Sequence, residues 1–326
     1  MAKYALLIGV AEYRDGEGYP RLLTPLNDIE ALRQVLLDPE KGGFDEVKLL
    51  PNPSPPEMED AISTLFGGRQ DNDITLLYFS GHGIKERRDF YLGTRDTRNN
   101  QQGNLLTLTA FPASRVHSIM SINSLKQQVV ILDCCLSASF ADGLLSNDED
   151  STNVKQQLKE KGRVILTSSV SNKPSFEKKG LPLSIYTGYL VEGIATGAAD
   201  LDEDGVISIK NLHDYTTQKV QKAFPKMQQP EIYSVQPELL EIPIAKAPIR
   251  NPKLRYGKEV ERLCKSGEIS PVVRLQLDVL RDKLGLLPED AEQIENEVLA
   301  PIREYKRKLQ LFENYLREVV NRVLSE

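Results

Sequence analysis

Two stretches of the chain share one pattern, in which an apolar run ends abruptly in polar and reactive residues. The first run covers residues 74–79 and leads into Ser-Gly-His-Gly at 80–83. The second covers 129–132 and leads into Asp-Cys-Cys at 133–135. Apolar runs without alternation are typical of strands buried on both faces of a parallel sheet. Reactive groups in such sheets lie at the carboxyl ends of the strands, so we expect both polar ends at one sheet edge.

The alternation of side chains along a strand assigns these polar residues to faces. Asp133 and Cys135 share one face, Cys134 points to the other, and Ser80 goes with His82. A cysteine in an apolar strand, or a histidine between glycines, is more often structural when it stands alone. A cysteine and a histidine at the ends of two strands favour a nucleophilic dyad. We therefore predict Cys135 as nucleophile and His82 as its base, with Cys134 buried as a small apolar residue.

Strands and helices alternate along the rest of the first 243 residues. The predicted strands are 4–10, 47–50 and 163–168, and the predicted helices are 27–37, 58–66, 113–122, 183–196 and 211–224. Asn27 or Asp28 is suited to cap the first of these helices. Residues 85–104 read as a solvated loop or a site rim, and 225–252 as a proline-rich closing edge and linker.

The pattern changes to helices at about residue 254. Ser270 and Pro271 form a helix start, and later residues show apolar spacings of three and four. We therefore predict a first domain over 1–243, a linker over 244–253 and a helical module over 254–326.

Composition narrows the range of partners and compartments. The 326 residues carry 41 basic and 47 acidic side chains, a net charge of −6, without a dense basic block. This argues against nucleic acid as the main partner. Three cysteines do not make a disulfide framework, and there is neither a signal-peptide pattern nor an apolar stretch that could span a membrane. We expect a cytoplasmic protein.

The two reactive motifs, in this order and spacing, resemble those of caspase-like cysteine peptidases. The similarity is closest to the prokaryotic metacaspase-like branch, the orthocaspases, and it extends over residues 3–240. It includes the segments 4–10, 26–29 and 166–169, whereas Cys134 and residues 136–138 depart from the usual metacaspase motif. The resemblance implies a bacterial α/β protein with a caspase-like α/β/α sandwich around a mostly parallel sheet. The helical pattern after residue 254 adds a small all-α module to this fold.

The resemblance also implies a function, a cysteine endopeptidase with a Cys–His dyad. The oxyanion hole is then made by the backbone N–H groups of Gly83 and Cys135. The S1 pocket, which binds the residue before the scissile bond, is then lined by Asp28, Asp133 and Ser80. Two carboxylates favour Arg or Lys at P1 and reject Asp, the residue after which caspases cut.

The caspase-like resemblance divides the first domain into a large-subunit-like region 1–140, a connecting loop 141–162 and a small-subunit-like region 163–243. The connecting loop is acidic and polar, and basic residues follow its acidic run. An enzyme specific for Arg or Lys could therefore cleave its own connecting loop. The alternative is that the intact single chain is already active. The candidate processing sites are Lys155, Lys159, Lys161 and Arg163.

An acidic loop at 200–211 copies the first half of an EF-hand. Asp200, Asp202 and Asp204 stand at ligand positions 1, 3 and 5, and Gly205 stands at position 6. Position 12, which needs a bidentate Glu, holds Asn211. We therefore regard the three aspartates as calcium candidates but expect no cofactor and no calcium dependence through this loop.

A second class of function stays open, a catalytically silent caspase-like scaffold that acts through its C-terminal helices. It differs from the peptidase hypothesis in predicting an unreactive Cys135. The expected partners of the peptidase are polypeptides with Arg or Lys at P1, not nucleic acid or membrane. Residues 254–326 are the predicted place for a protein partner or for self-association.

Overall fold

The computed structural model describes most of the chain. The described ranges are 1–14, 18–87, 89–122, 125–134, 162–168, 180–225, 228–234, 236–248 and 252–324, with side chains described as far as residue 312. The chain divides into two compact units. The first contains Met1–Leu201 and Val206–Ala247, and the second contains Asp202–Gly205 and Pro248–Glu326.

Strands and helices alternate along the first unit. The strands are β1 (Lys3–Gly9), β2 (Glu46–Pro51), β3 (Ile74–Ser80), β4 (Gly83–Glu86), β5 (Asp89–Leu92), β6 (Phe111–Pro112), β7 (Gln127–Asp133), β8 (Arg163–Thr167), β9 (Val206–Ser208), β10 (Glu231–Ser234) and β11 (Pro243–Lys246). The helices are α1 (Pro25–Leu37), α2 (Pro55–Phe66), α3 (Ala113–Ile122), α4 (Ile185–Thr196) and α5 (Ile209–Ala223).

The central sheet has six strands among the described residues, in the order β10-β8-β7-β3-β1-β2. Five of them are parallel, and β10 pairs antiparallel with β8 at one edge. All residues of β3 are buried, and so are all those of β7 except its first. The two apolar runs that precede the reactive motifs are therefore neighbouring central strands, as their sequence predicts.

Helices cover both faces of this sheet. Alternate residues such as Leu7 and Tyr78 pack against α1, α4 and α5. Their neighbours Leu6 and Phe79 pack against α2 and α3 on the other face. Because successive side chains of a strand point to opposite faces, the sheet has a separate apolar core on each side. The predicted α/β/α sandwich around a mostly parallel sheet is confirmed.

Three predicted elements differ from the structure. Helix α1 begins at Pro25, because proline is well suited to the first helical turn, so Asn27 and Asp28 lie inside the helix and do not cap it. The segment 85–104, predicted as a loop, contributes to the hairpin β4–β5. The segment 225–252, predicted as a closing edge and linker, contains β10 and β11. Pro243 is the first residue of β11, a position that a strand tolerates, and the pairing of β11 with β9 shifts register between Pro243 and Ala245.

The second unit is helical in the part that the structure describes. Its helices are α6 (Pro252–Leu263), α7 (Pro271–Leu284) and α8 (Pro288–Leu324). Tyr256, Cys264 and Leu299 are among the buried residues of its own small core. An ion pair between the half-exposed Arg274 and the buried Glu295 joins α7 to α8, and both oxygens of Glu295 accept hydrogen bonds from Arg274, at 2.8 and 2.7 Å. Across the described ranges, no helix combines the length and apolarity required to cross a membrane.

Candidate active site

The two reactive motifs leave the sheet side by side. Strands β3 and β7 are paired neighbours, and Ser80 lies opposite Asp133 at their carboxyl ends. His82 and Cys135 each follow these paired residues by two positions. The described range that contains β7 ends at Cys134, so Cys135 lies outside the described residues.

Cys134 packs into the apolar core between the sheet and helices α2 and α3. Its side chain is fully buried. Asp133, one residue earlier, points to the opposite face, where it contacts α4. The strand alternation therefore assigns Cys134 correctly as a buried apolar residue.

His82 is oriented by a backbone carbonyl from a distant loop. Its Nε2 atom lies 2.9 Å from the carbonyl oxygen of Pro20. A carbonyl oxygen accepts hydrogen bonds and does not donate them, so Nε2 carries the proton of this contact. The lone pair of the neutral ring is then on Nδ1, which is the atom suited to accept a proton from a nucleophile.

Tyr13 contacts both the backbone and the ring of His82. Its hydroxyl accepts a hydrogen bond from the His82 N–H at 2.9 Å and donates one to the Val10 carbonyl at 3.1 Å. The two rings lie 4.8 Å apart between centroids. A Cβ atom at Gly81 would approach the Phe79 ring to 2.9 Å, so glycine is needed for this close approach.

Two aspartates form a buried acid pair on the face of the sheet that α1 and α4 cover. Asp28 is 0% exposed and Asp133 is 6% exposed. Asp28 accepts hydrogen bonds from the Ser80 hydroxyl at 3.0 Å and from the Ser184 N–H at 2.8 Å. Asp133 accepts hydrogen bonds from the Ser184 hydroxyl and, at 2.7 Å, from the Thr187 hydroxyl. Ser184 therefore bridges the two carboxylates.

Burial makes both carboxyl groups poor acids. Desolvation, followed by repulsion from Asp133, raises the pKa of Asp28 to about 7 against the opposing hydrogen bonds from Ser184, Ser80 and Thr24. Desolvation likewise raises the pKa of Asp133. Burial therefore disfavours the charged form of both carboxyl groups. The pair is chemically suited to bind a cationic group.

The other predicted site residues are placed as follows. Gly83 follows His82 directly and opens β4. Lys155, Lys159 and Lys161 lie outside the described residues. Arg163 is in β8, and its buried guanidinium donates hydrogen bonds to Gln128 at 2.9 Å and to Ser121 at 3.0 Å. A peptidase would reach the bond after Arg163 only if β8 left the sheet.

The acidic loop has cationic neighbours. Of the three calcium candidates, Asp202 and Asp204 belong to the second unit and Asp200 belongs to the first. Within the second unit, Arg255 pairs with Asp204 at 3.1 Å and Lys258 pairs with Asp202 at 3.7 Å. These contacts already balance two of the three charges that a calcium ion would use.

A family profile described as Caspase domain matches residues 2–239. The chain belongs to the caspase-domain family. The fold of this caspase-domain protein is similar to that of a structural-genomics protein of Geobacter sulfurreducens, with 15% identity, a TM-score of 0.53, and coverage of 76% of this chain and 100% of that chain. Caspase-1 of Spodoptera frugiperda also matches, with 18% identity, a TM-score of 0.48, and coverage of 71% and 86%. A search of curated protein sequences gives no match.

Several residues around the site of this caspase-domain protein were not predicted from the sequence. Pro20 and Tyr13 stand in a polar segment without a motif, and each contacts His82 across more than 60 residues of sequence. Ser184 falls inside the predicted helix 183–196, whereas in the structure the helix begins at Ile185 and Ser184 is its N-cap. It does cap α4, accepting from the Thr187 N–H at 3.3 Å, but the same hydroxyl also serves the acid pair.

Proposed function

We propose that this caspase-domain protein is a cysteine endopeptidase that cleaves polypeptides after Arg or Lys. The observation that carries the proposal is the acid pair of Asp28 and Asp133, which is buried at the same sheet edge from which His82 projects. Membership of the caspase-domain family supports the reaction class, and the charge of the pair supports the specificity.

In the proposed reaction, the Cys135 thiolate attacks the scissile carbonyl and His82 carries the proton. The attack forms a tetrahedral intermediate, whose oxyanion the backbone N–H groups of Gly83 and Cys135 stabilise. His82 then protonates the leaving amine, and a thioester with Cys135 remains until water hydrolyses it. The contact between Nε2 of His82 and the Pro20 carbonyl supports this role, because it fixes the ring with Nδ1 as the proton acceptor.

The proposed S1 pocket consists of Asp28, Asp133 and Ser80. A guanidinium or ammonium group between the two carboxylates would compensate for the desolvation that keeps their pKa values high. Arg has an advantage over Lys because its planar fork donates to two carboxylates at once. An Asp side chain at P1 would meet like charge. A preference for Arg or Lys at P1 favours the metacaspase or orthocaspase type. Two buried free cysteines in the described chain are compatible with the proposed cytoplasmic location.

A matched substrate series tests the proposal directly. Three fluorogenic peptides that differ only in P1 carry Arg, its neutral isostere citrulline, or Asp. We expect turnover of the Arg peptide, a large loss with citrulline because the cation is absent, and none with Asp. Equal turnover of the Arg and citrulline peptides would refute a pocket based on charge.

A covalent probe separates the peptidase from the silent scaffold. An arginyl chloromethyl ketone should alkylate the wild-type chain once, as seen by intact mass, and should leave Cys135→Ala unmodified. Cys134→Ala is the matched control, because the adjacent cysteine is buried in the core and its loss leaves the nucleophile in place. Absence of labelling and of turnover in the wild type would favour the scaffold.

A further inference from the structure

Helix α8 is much longer than the other two helices of the second unit. It has 37 residues, whereas α6 and α7 have 12 and 14. Its first half packs into the core of the second unit, and Ile302 is the last residue of α8 in that core. From residue 303 to its end the helix adds 22 residues, which corresponds to a length of about 33 Å.

The apolar face of the packed half continues beyond the core without a cover in the described chain. Tyr305, Leu309 and Phe312 follow Ile302 at spacings of three, four and three residues. These three residues, the heptad stripe, are 68%, 45% and 58% exposed. In the sequence the same spacing continues through Leu316, Val319 and Val323. Seven apolar positions at this period, from Ile302 on, make three heptads.

A stripe of this kind is typical of a helix that packs against a partner helix. A helix of this length with one apolar face gains most of its stability from packing and little from helix propensity. A strict spacing of three and four residues is the pattern of a coiled-coil seam, which is narrower than the face by which a helix packs into a globular core.

We propose that the C-terminal half of α8 forms a parallel two-stranded coiled coil with the same helix of a second copy of this chain. The stripe and its continuation in the sequence are self-complementary, because the a positions (Leu309, Leu316) and the d positions (Phe312, Val319) are all apolar. The flanking charges fit the same arrangement. Lys308 stands at position g, and Glu313 stands at position e of the next heptad, where the two attract each other across a parallel pair.

Sedimentation equilibrium of the full-length chain tests the proposal. We expect a mass of two chains at micromolar concentrations for the wild type. Leu309→Glu should raise the dissociation constant by at least about 100-fold, because two like charges would face each other in the seam. A wild type that stays monomeric would overturn the proposal.

Two matched controls locate the interface. Leu311 is 60% exposed on the same helix but lies off the stripe, at position c. Leu275 is 68% exposed in a separate apolar row on α7, together with Val272 and Val279. Leu311→Glu and Leu275→Glu should both retain the dimer, with circular dichroism of all variants showing an intact fold. Dissociation by either control at the level of Leu309→Glu would place the interface elsewhere and refute the coiled coil.

A cysteine cross-link tests the orientation. Tyr305 is a d position near the start of the stripe, so in a parallel pair it faces its own copy. Tyr305→Cys should therefore give a disulfide-linked dimer under mild oxidation, whereas Leu311→Cys should not. An antiparallel pair would separate the two Tyr305 positions by most of the length of the stripe. A dimer that fails to cross-link at residue 305 would overturn the parallel arrangement.

Discussion

The substitution Asp28→Asn should make the protein more stable and less active at the same time. Asp28 is fully buried, and its pKa is raised from 3.8 to about 7. The folded state therefore holds a proton that the unfolded state releases above pH 4. The stability that this group contributes is fully present below pH 3.8 and is lost as the pH rises to about 7.

The magnitude follows from the two pKa values. A change from 3.8 to about 7 corresponds to up to ~4 kcal/mol of folding free energy between pH 4 and 8. Asn at this position keeps an oxygen for the Ser184 N–H, and its amide donates to the Ser80 hydroxyl, so the contacts of the pair survive. The variant should lack the loss of stability that the wild type shows over this pH range.

Denaturant unfolding at several pH values measures this difference. Circular dichroism and tyrosine fluorescence are the suitable probes, because the chain has no Trp and 12 Tyr. Asp73 serves as a control, because its pKa is shifted in the direction opposite to that of Asp28. It accepts hydrogen bonds from the backbone N–H groups of Ala2 and Gln70, which lower its pKa. Asp73→Asn should therefore become less stable relative to the wild type as the pH rises through the range of an ordinary Asp.

The activity of the Asp28→Asn variant completes the test. Loss of one of two desolvated carboxylates that face a bound cation costs about 2–5 kcal/mol, which is about 30-fold to several thousand-fold in kcat/KM for an Arg peptide. A stability curve parallel to that of the wild type from pH 4 to 8 would refute the raised pKa. Unchanged turnover of the Arg peptide would remove Asp28 from the S1 pocket.

Three further predictions follow from the site and the loops. Cys134→Ala should retain most of the peptidase activity and Cys135→Ala none, in a peptide assay; the reverse would show that the strand register is misassigned. Calcium should bind too weakly for calorimetry to detect at micromolar concentrations, and binding that disappears in Asp202→Ala would contradict this. On long incubation, intact mass should show cleavage after a lysine within 155–161 in the wild type but not in Cys135→Ala, while the bond after Arg163 stays intact because β8 buries it. Identical masses for a fully active wild type would exclude self-processing.

Local periodicity determined much of the caspase-domain unit. The apolar runs before Ser80 and Asp133 predicted two buried parallel strands, and the alternation along the second predicted that Cys134 enters the core. These features depend on neighbouring residues of one strand, so the sequence contains all the information they need. The exposed apolar stripe of α8 is encoded in the same way, by spacing alone.

Contacts between distant segments were decided only by the tertiary structure. The Pro20 carbonyl reaches His82 across 62 residues, and the Ser184 N–H reaches Asp28 across 156. Neither contact has a sequence pattern, because a backbone group carries no residue-specific signal and its position depends on how the intervening chain folds back. The same reason applies to β10, whose four residues acquire their place in the sheet by pairing with β8. The sequence therefore predicted which side chains would carry the chemistry, while the fold decided which groups contact them.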